Sequence, residues 1–257
     1  MATLDKSSNF YETDAALGQY LLFHYGTPDQ ICPLLPDARA ACGFPIRCVT
    51  GALSGLALER KARALDLGCA VGRSSFELAR HFDHVVGLDL SDRFIAAAQR
   101  MQTERTAVIR VPREGGAFDK LCLELPSDLR TERVIFETGN ACALRAGLGK
   151  FDLVLMANLI DRLPDPAACL AQMPDLVSPG GWLVIISPYT WLEEYTPREK
   201  WLDGGGRGTL AALWEHLAPA FSLHRAFDLA FLIREHRRKY QWSIAEAGIW
   251  RRGAYHS

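Results

Sequence analysis

Residues 61–80 read KARALDLGCAVGRSSFELAR, and their order decides the fold. The run Ala64-Leu65-Asp66-Leu67 has the continuous apolar character of the end of a buried parallel strand. Gly68, Ala70 and Gly72 follow, small residues that let the backbone turn tightly and approach a ligand. Ser74 stands where a helix starts, and Phe76, Leu78 and Ala79 give that helix apolar positions. Strand, glycine turn and helix together are the opening of a doubly wound, nucleotide-binding α/β sheet.

The spacing separates two cofactor classes. A dinucleotide fingerprint runs G-x-G-x-x-G. Here the turn is Asp66-x-Gly68-x-Ala70-x-Gly72, with its outer glycines four apart and an acid two before the first. That turn resembles motif I of the class I S-adenosylmethionine (SAM) methyltransferases, with Ala70 in place of the middle glycine. The resemblance implies a Rossmann-like, seven-stranded, mostly parallel sheet with SAM as cofactor, S-adenosylhomocysteine (SAH) as product and no metal. SAM carries no pyrophosphate to cradle. It needs an acceptor for its ammonium, which Asp66 would supply directly or through water, and an acid for its ribose, which Asp89 at the end of VVGLDLS would supply. The cofactor set expected from this pattern is Asp66, Gly68, Cys69, Ala70, Gly72, Ser74, Asp89, Leu90, Asn140, Ala141 and Asn158. A strand-turn-helix whose glycines serve only packing is the plainer alternative.

Composition bounds the rest. The chain has 257 residues, 49% hydrophobic and 23% charged, with a net charge of −1. That describes a soluble globular protein with no basic tract for nucleic acid or a membrane surface. No apolar stretch reaches the length of a membrane span, and residues 1–10 are too polar for a signal peptide. Cysteines stand at 32, 42, 48, 69, 122, 142 and 169 without a C-x-x-C pair, which predicts small core residues in a reducing cytoplasm.

Taken in order, residues 1–10 read as a frayed start. Tyr11, Leu17, Tyr20, Leu21, Phe23, His24 and Tyr25 recur at helical spacing until Gly26. Residues 26–45 read as an irregular connector, and 44–58 as a second helix. Residues 1–60 then form a helical cap and 61–257 the core. Strands are expected at 64–67, 84–90, 133–137, 151–157, 182–187, 221–229 and 241–251. Helices are expected at 74–82, 91–101, 166–176 and 209–217, with a hairpin insertion within 105–127. Residues 178–181 read as a tight turn, 234–239 as a basic turn, and 188–206 as an aromatic loop ending in three glycines, open to a lid role. The last strand is expected to insert antiparallel, as in methyltransferases.

Beyond motif I, six pieces resemble one family. They are YETDAALGQYLLFHYG (11–26), FPIRC (44–48), LDLGCAVGRSSFELAR (65–80), NLIDRLPDP (158–166), SPYTWLEEYTPREKWLDGG (187–205) and RRKYQW (237–242). Together they resemble the C-terminal methyltransferase domain of ovothiol synthases. That resemblance implies a stand-alone Nπ-methyltransferase of 5-thiohistidine or 5-selenohistidine, taking a small molecule from an upstream enzyme. Asn158-x-x-Asp161-Arg162 is also similar to a stretch of the protein-histidine π-methyltransferases, where the Asn and Asp hold the target ring. Asp161 accepting the far N–H would fix a neutral tautomer with a lone pair on the attacking nitrogen. The expected catalytic set is Asn158, Asp161 and Tyr189. The expected substrate set is Tyr11, His24, Tyr25, Arg47, Asn158, Asp161, Tyr189, Trp191 and Tyr195. Methylation of histidine in a protein or peptide, and a SAM-binding sensor without catalysis, are the competing functions. For each aromatic, core packing is the competing role, and for Asp161-Arg162 it is a local ion pair.

Overall fold

The computed structural model describes residues 10–253. Nine strands run β1 (Arg63–Leu67), β2 (His84–Asp89), β3 (Thr106–Glu114), β4 (Ala117–Glu124), β5 (Val134–Thr138), β6 (Phe151–Ala157), β7 (Val177–Ser187), β8 (Phe221–His236) and β9 (Lys239–Arg252). Seven of them form one sheet in the order β5-β2-β1-β6-β7-β9-β8, while β3 and β4 pair separately as an antiparallel hairpin. Strands β5, β2, β1, β6 and β7 run parallel to one another. β9 inserts antiparallel between β7 and β8. This is the class I SAM-dependent methyltransferase fold.

The helices are α1 (Asp14–Tyr25), α2 (Pro28–Ile31), α3 (Phe44–Leu53), α4 (Arg73–Leu78), α5 (Asp92–Glu104), α6 (Pro166–Ala171), α7 (Met173–Leu176) and α8 (Thr209–Leu217). Two apolar layers sandwich the sheet. One gathers Leu22, Phe44, Phe76, Phe94 and Met101 from α1, α3, α4 and α5. The other gathers Cys169, Leu170, Leu213, Leu217 and Trp250 under α6 and α8. Each fully buried side chain of this size contributes roughly 1.5–3 kcal/mol. Helices on both faces explain why β1 and β6 are buried along almost their whole length and mostly apolar: neither face meets water.

Several boundaries differ from the sequence reading, each for a local reason. The expectation for residues 1–9 lies outside the described residues. The first helix is preceded by a 3-10 turn, Phe10–Glu12, and opens at Thr13, whose Oγ1 accepts from Ala16 N at 3.1 Å. Gly26 closes it, because a Cβ there would sit 2.5 Å from the Leu22 carbonyl oxygen. The connector is more regular than expected: Thr27 and Gln30 cap each other at α2, and a 3-10 turn covers Pro36–Ala41. Within it the Cys32 and Cys42 sulfurs approach to 3.5 Å. α3 stops at Leu53, since Gly55 turns left-handed at φ 74. The expected helix at 74–82 ends early, at Leu78, and the one at 166–176 is broken into α6 and α7.

The largest departure is at β8 and β9. The basic segment 234–239 is not a solvated turn, because both strands run through it and leave only 237–238 between them. Arg234 is buried there. It donates to Gln30 O (2.8 Å), Pro112 O (3.3 Å) and Asp119 Oδ2 (3.1 Å), tying the connector and the β3–β4 hairpin to β8. Likewise 178–181 belongs to β7, which carries a register shift opposite Phe151–Leu153. The aromatic loop is packed down: Trp191 stacks on Trp201 with centroids 6.3 Å apart, and the buried Thr196 hydroxyl donates to Leu163 O at 2.6 Å.

Candidate functional site

A cavity of about 670 Å³ opens beyond the carboxyl ends of β1, β2, β5 and β6. That is where an open parallel sheet binds ligands, and the volume suits a cofactor plus a small acceptor. One end is built from turns. Gly68, Cys69, Ala70 and Ser74 come from the β1–α4 turn; Asp89, Leu90 and Ser91 follow β2; Gly139, Asn140 and Ala141 follow β5.

The geometry of that end follows from its residue types. Gly68 adopts φ 79, and a Cβ on it would lie 2.8 Å from Leu159 Cδ1. Gly72 adopts φ 88 and packs on the Phe136 ring rather than on the cavity. Ala70 holds φ 47, a left-handed conformation costly for any residue with a Cβ. Its N–H donates to Asp89 Oδ2 at 2.9 Å, and Ser91 N donates to Asp89 Oδ1 at 2.9 Å. The two amides aim the carboxylate and leave each oxygen a second lone pair. Asn140 Oδ1 accepts from Cys142 N at 2.9 Å and shapes the turn beyond β5. Asp66 lies behind this wall. It is 1% exposed, its Oδ2 accepts from Ser75 Oγ at 2.6 Å, and burial pushes its carboxyl up to about 7.

The other end is aromatic. Tyr11, Tyr20, Phe23, His24, Phe44, Phe94 and Tyr195 line it, with Arg162. The Tyr11 ring stands 5.9 Å from Tyr20 and 5.9 Å from Tyr195. His24 is buried and is held neutral, its imidazole pushed down to about 3 by desolvation and then by the Arg73 charge. Asn158 lines the same cavity. It follows β6 at φ 52, and its Oδ1 is buried without a hydrogen-bond partner.

Of the expected residues, Gly68, Cys69, Ala70, Ser74, Asp89, Leu90, Asn140, Ala141, Asn158, Tyr11, His24 and Tyr195 line this one cavity. Others are placed elsewhere. Arg47 donates to Ala41 O, Cys42 O and Ala230 O, clamping the start of α3 to β8. Tyr25 donates to Val71 O at 2.6 Å and pins the glycine turn from behind. Trp191 donates to Thr209 Oγ1. Tyr189 packs into the layer under α6 and α8 with its hydroxyl buried beside Glu246. Asp161 is 1% exposed, its Oδ2 accepting from Thr190 N (2.9 Å) and Arg162 Nη1 (3.0 Å). Sequence reasoning passed over Tyr20, Phe94 and Arg162 as site residues. Tyr20 shares the helical stripe of His24, a signal that points to a common face; Phe94 and Arg162 carried none beyond apolar spacing and an adjacent acid.

Comparison with known proteins agrees with the fold and corrects the family. A family model described as a methyltransferase domain matches residues 47–238. A ubiquinone biosynthesis O-methyltransferase of Leptothrix cholodnii is 27% identical over 140 residues, 54% of this chain and 47% of that protein. One of the same description from Xylella fastidiosa is 29% identical over 48% of this chain and 41% of its own length. The chain thus spans about half the length of the curated relatives it matches. Among solved structures, the N-methyltransferase NodS of Bradyrhizobium japonicum with SAH superposes with a TM-score of 0.54 at 17% identity, covering 92% of this chain and 98% of that one. A protein solved for the conversion of a disulfide into a thioacetal in echinomycin biosynthesis gives a TM-score of 0.55 at 19% identity over 82% of both chains. The resemblance to ovothiol synthases is overturned: the relatives carry the O-methyltransferase name, and Tyr25, Arg47, Tyr189 and Trp191, expected from it at a substrate, lie off the cavity. With its motif I turn, its sheet order and a family model spanning most of its length, the chain belongs to the methyltransferase domain family and is a SAM-dependent methyltransferase.

Proposed function

We propose that the protein methylates a nitrogen or oxygen of a small aromatic acceptor bound beside Asn158. The carrying observation is the buried, unpartnered Oδ1 of Asn158 on the wall of the cavity. A buried carbonyl without a partner costs about 1–3 kcal/mol, and an N–H or O–H on the acceptor would remove that cost while aiming the reacting atom. Holding Asn158 left-handed at the end of β6 fits a residue kept for its position.

SAM fits the turn-built end on the structure's own terms. Asp89 is preset by two amides for vicinal hydroxyls, Gly68 allows close backbone approach, and Asn140 and Ala141 would flank the base. The Asp66 charge, buried behind the turn, would favour a cationic ammonium. When bound, SAM supplies a methyl group already activated on a sulfonium. The chain's own contribution is then to position the acceptor, which is worth several kcal/mol in a two-substrate reaction, and to exclude water with the rings of Tyr11, Tyr20, Phe94 and Tyr195. Neutral His24 stands on the same wall as a hydrogen-bonding group.

The test is mass spectrometry of the protein with SAM and a panel of phenols, catechols, imidazoles and a histidine-containing peptide. A gain of one CH2 on a small ring compound is the expected result. Asn158→Ala should lower its turnover by about a hundredfold while SAH affinity holds. A gain on the peptide alone moves the function to protein methylation. SAH binding with no turnover on any ring compound favours a sensor.

A further inference from the structure

Among the described residues lining the cavity, Arg162 is the only lysine or arginine. Its Nη1 donates to Thr190 O (2.6 Å), Asp161 O (2.8 Å) and Asp161 Oδ2 (3.0 Å). These bonds all fall on one terminal nitrogen and hold the guanidinium by one edge. The Nε and Nη2 hydrogens remain on the other edge, a fork matched to a carboxylate. The group lies over the Tyr195 ring, 5.2 Å from its centroid. Its charge also reaches the Tyr11 and Tyr20 hydroxyls, favouring their ionised forms against the desolvation that raises both. The side chain is 24% exposed and lines the cavity, so an anion entering the cavity can reach this edge.

We propose that Arg162, on the wall it shares with Tyr11, Tyr20 and Tyr195, forms a subsite for the carboxylate of the methyl acceptor. The acceptor is then an aromatic acid rather than a neutral ring. Asp161 is a positioning residue, because its buried carboxylate and carbonyl fix the guanidinium without touching the cavity. The acids on the wall do not cancel the site. Glu12 lies close enough to Asp89 to raise its carboxyl, so it belongs to the turn-built end, and Glu194 is exposed at the rim beside Tyr195. SAM also carries a carboxylate, so the same fork has two candidate occupants. Arg162 lies over the Tyr195 ring rather than in the turns that carry Asp89 and Asn140, which favours the acceptor.

This inference rests on the transferase reading of the cavity, and its test separates the two. Benzoate and benzamide are titrated against the full chain saturated with SAH, by ligand-observed NMR. The expected result is benzoate binding about tenfold tighter than benzamide, a difference Arg162→Gln brings to about twofold or less. Arg162→Lys, which keeps the charge without the fork, should retain part of the preference. SAH affinity in each variant reports folding. No benzoate binding, equal binding of both probes, or a preference that survives Arg162→Gln overturns the subsite. Benzoate that binds the SAH-free chain but is lost on saturation with SAH assigns the fork to the cofactor and overturns it too. The cofactor reading fails on a different result, absence of SAH binding to the native chain.

Discussion

Asp66 shows how much one buried residue can set. Its carboxyl is pushed up to about 7 chiefly by desolvation, against the pull of the Ser75 hydroxyl. The sign follows directly. In the ligand-free protein the neutral form is the comfortable one, so the stability tied to this group is lost as pH rises through about 7. Ligand binding runs the other way, because an incoming ammonium wants the carboxylate. SAH affinity should therefore weaken about tenfold between pH 8 and pH 6, and isothermal titration at the two pH values would show it. Asp66→Asn should flatten that slope, and a native protein with no slope would remove Asp66 from the cofactor's surroundings. At this scale the sequence was readable where residues sit in a motif: Gly68 and Asp89, singled out by spacing, line the cavity, while Asp66 lies behind its wall. Arg162 was not singled out, because an Asp-Arg neighbour pair looks the same whether the guanidinium faces solvent or a cavity. Arg47 runs in the opposite sense. A lone arginine in an apolar stretch reads equally as a structural clamp or as a carboxylate ligand, and three backbone carbonyls here take up the clamp role.

The elements were legible wherever one period governed them. β1, β2 and β6 are apolar on both faces, and the helix after Ser91 follows the 3.6 repeat. What failed was any boundary decided by a partner far away in sequence. Nothing within 234–239 shows that Arg234 has its oxygens waiting at residues 30, 112 and 119, so a buried tie read as a basic turn. Capping, by contrast, is local and readable. Ser91 Oγ accepts from Phe94 N at 3.1 Å and starts α5 directly behind the Asp89 carboxylate. Ser91→Ala should cost about 1 kcal/mol and lower the melting temperature by roughly 2–4 °C in a chain of this size. Thermal unfolding measured by circular dichroism checks this, and an unchanged midpoint would mean the cap is redundant with the α5 packing.

At the scale of the molecule, the fold followed from a single turn, since strand–turn–helix with an acid at two strand ends admits few architectures. The acceptor did not follow, because its cavity is assembled from eight separate stretches of chain. If the turn-built end takes the cofactor, SAH at a hundred times its dissociation constant should stabilise the chain by about 2.7 kcal/mol and raise its melting point by roughly 5–10 °C. A differential scanning measurement with no rise would sink the cofactor assignment. The place of β9 has a further consequence, which concerns synthesis. The last strand of this sheet in chain order is an inner one, with β7 on one side and β8 on the other. Until residue 252 has left the ribosome, β7 has an open edge and β8 has no neighbour in the sheet. The half that carries the glycine turn can assemble during translation, but the sheet as a whole closes only after translation has passed its final strand. A ribosome stalled inside 239–252 therefore displays an exposed strand edge, the feature that chaperones and aggregation both recognise.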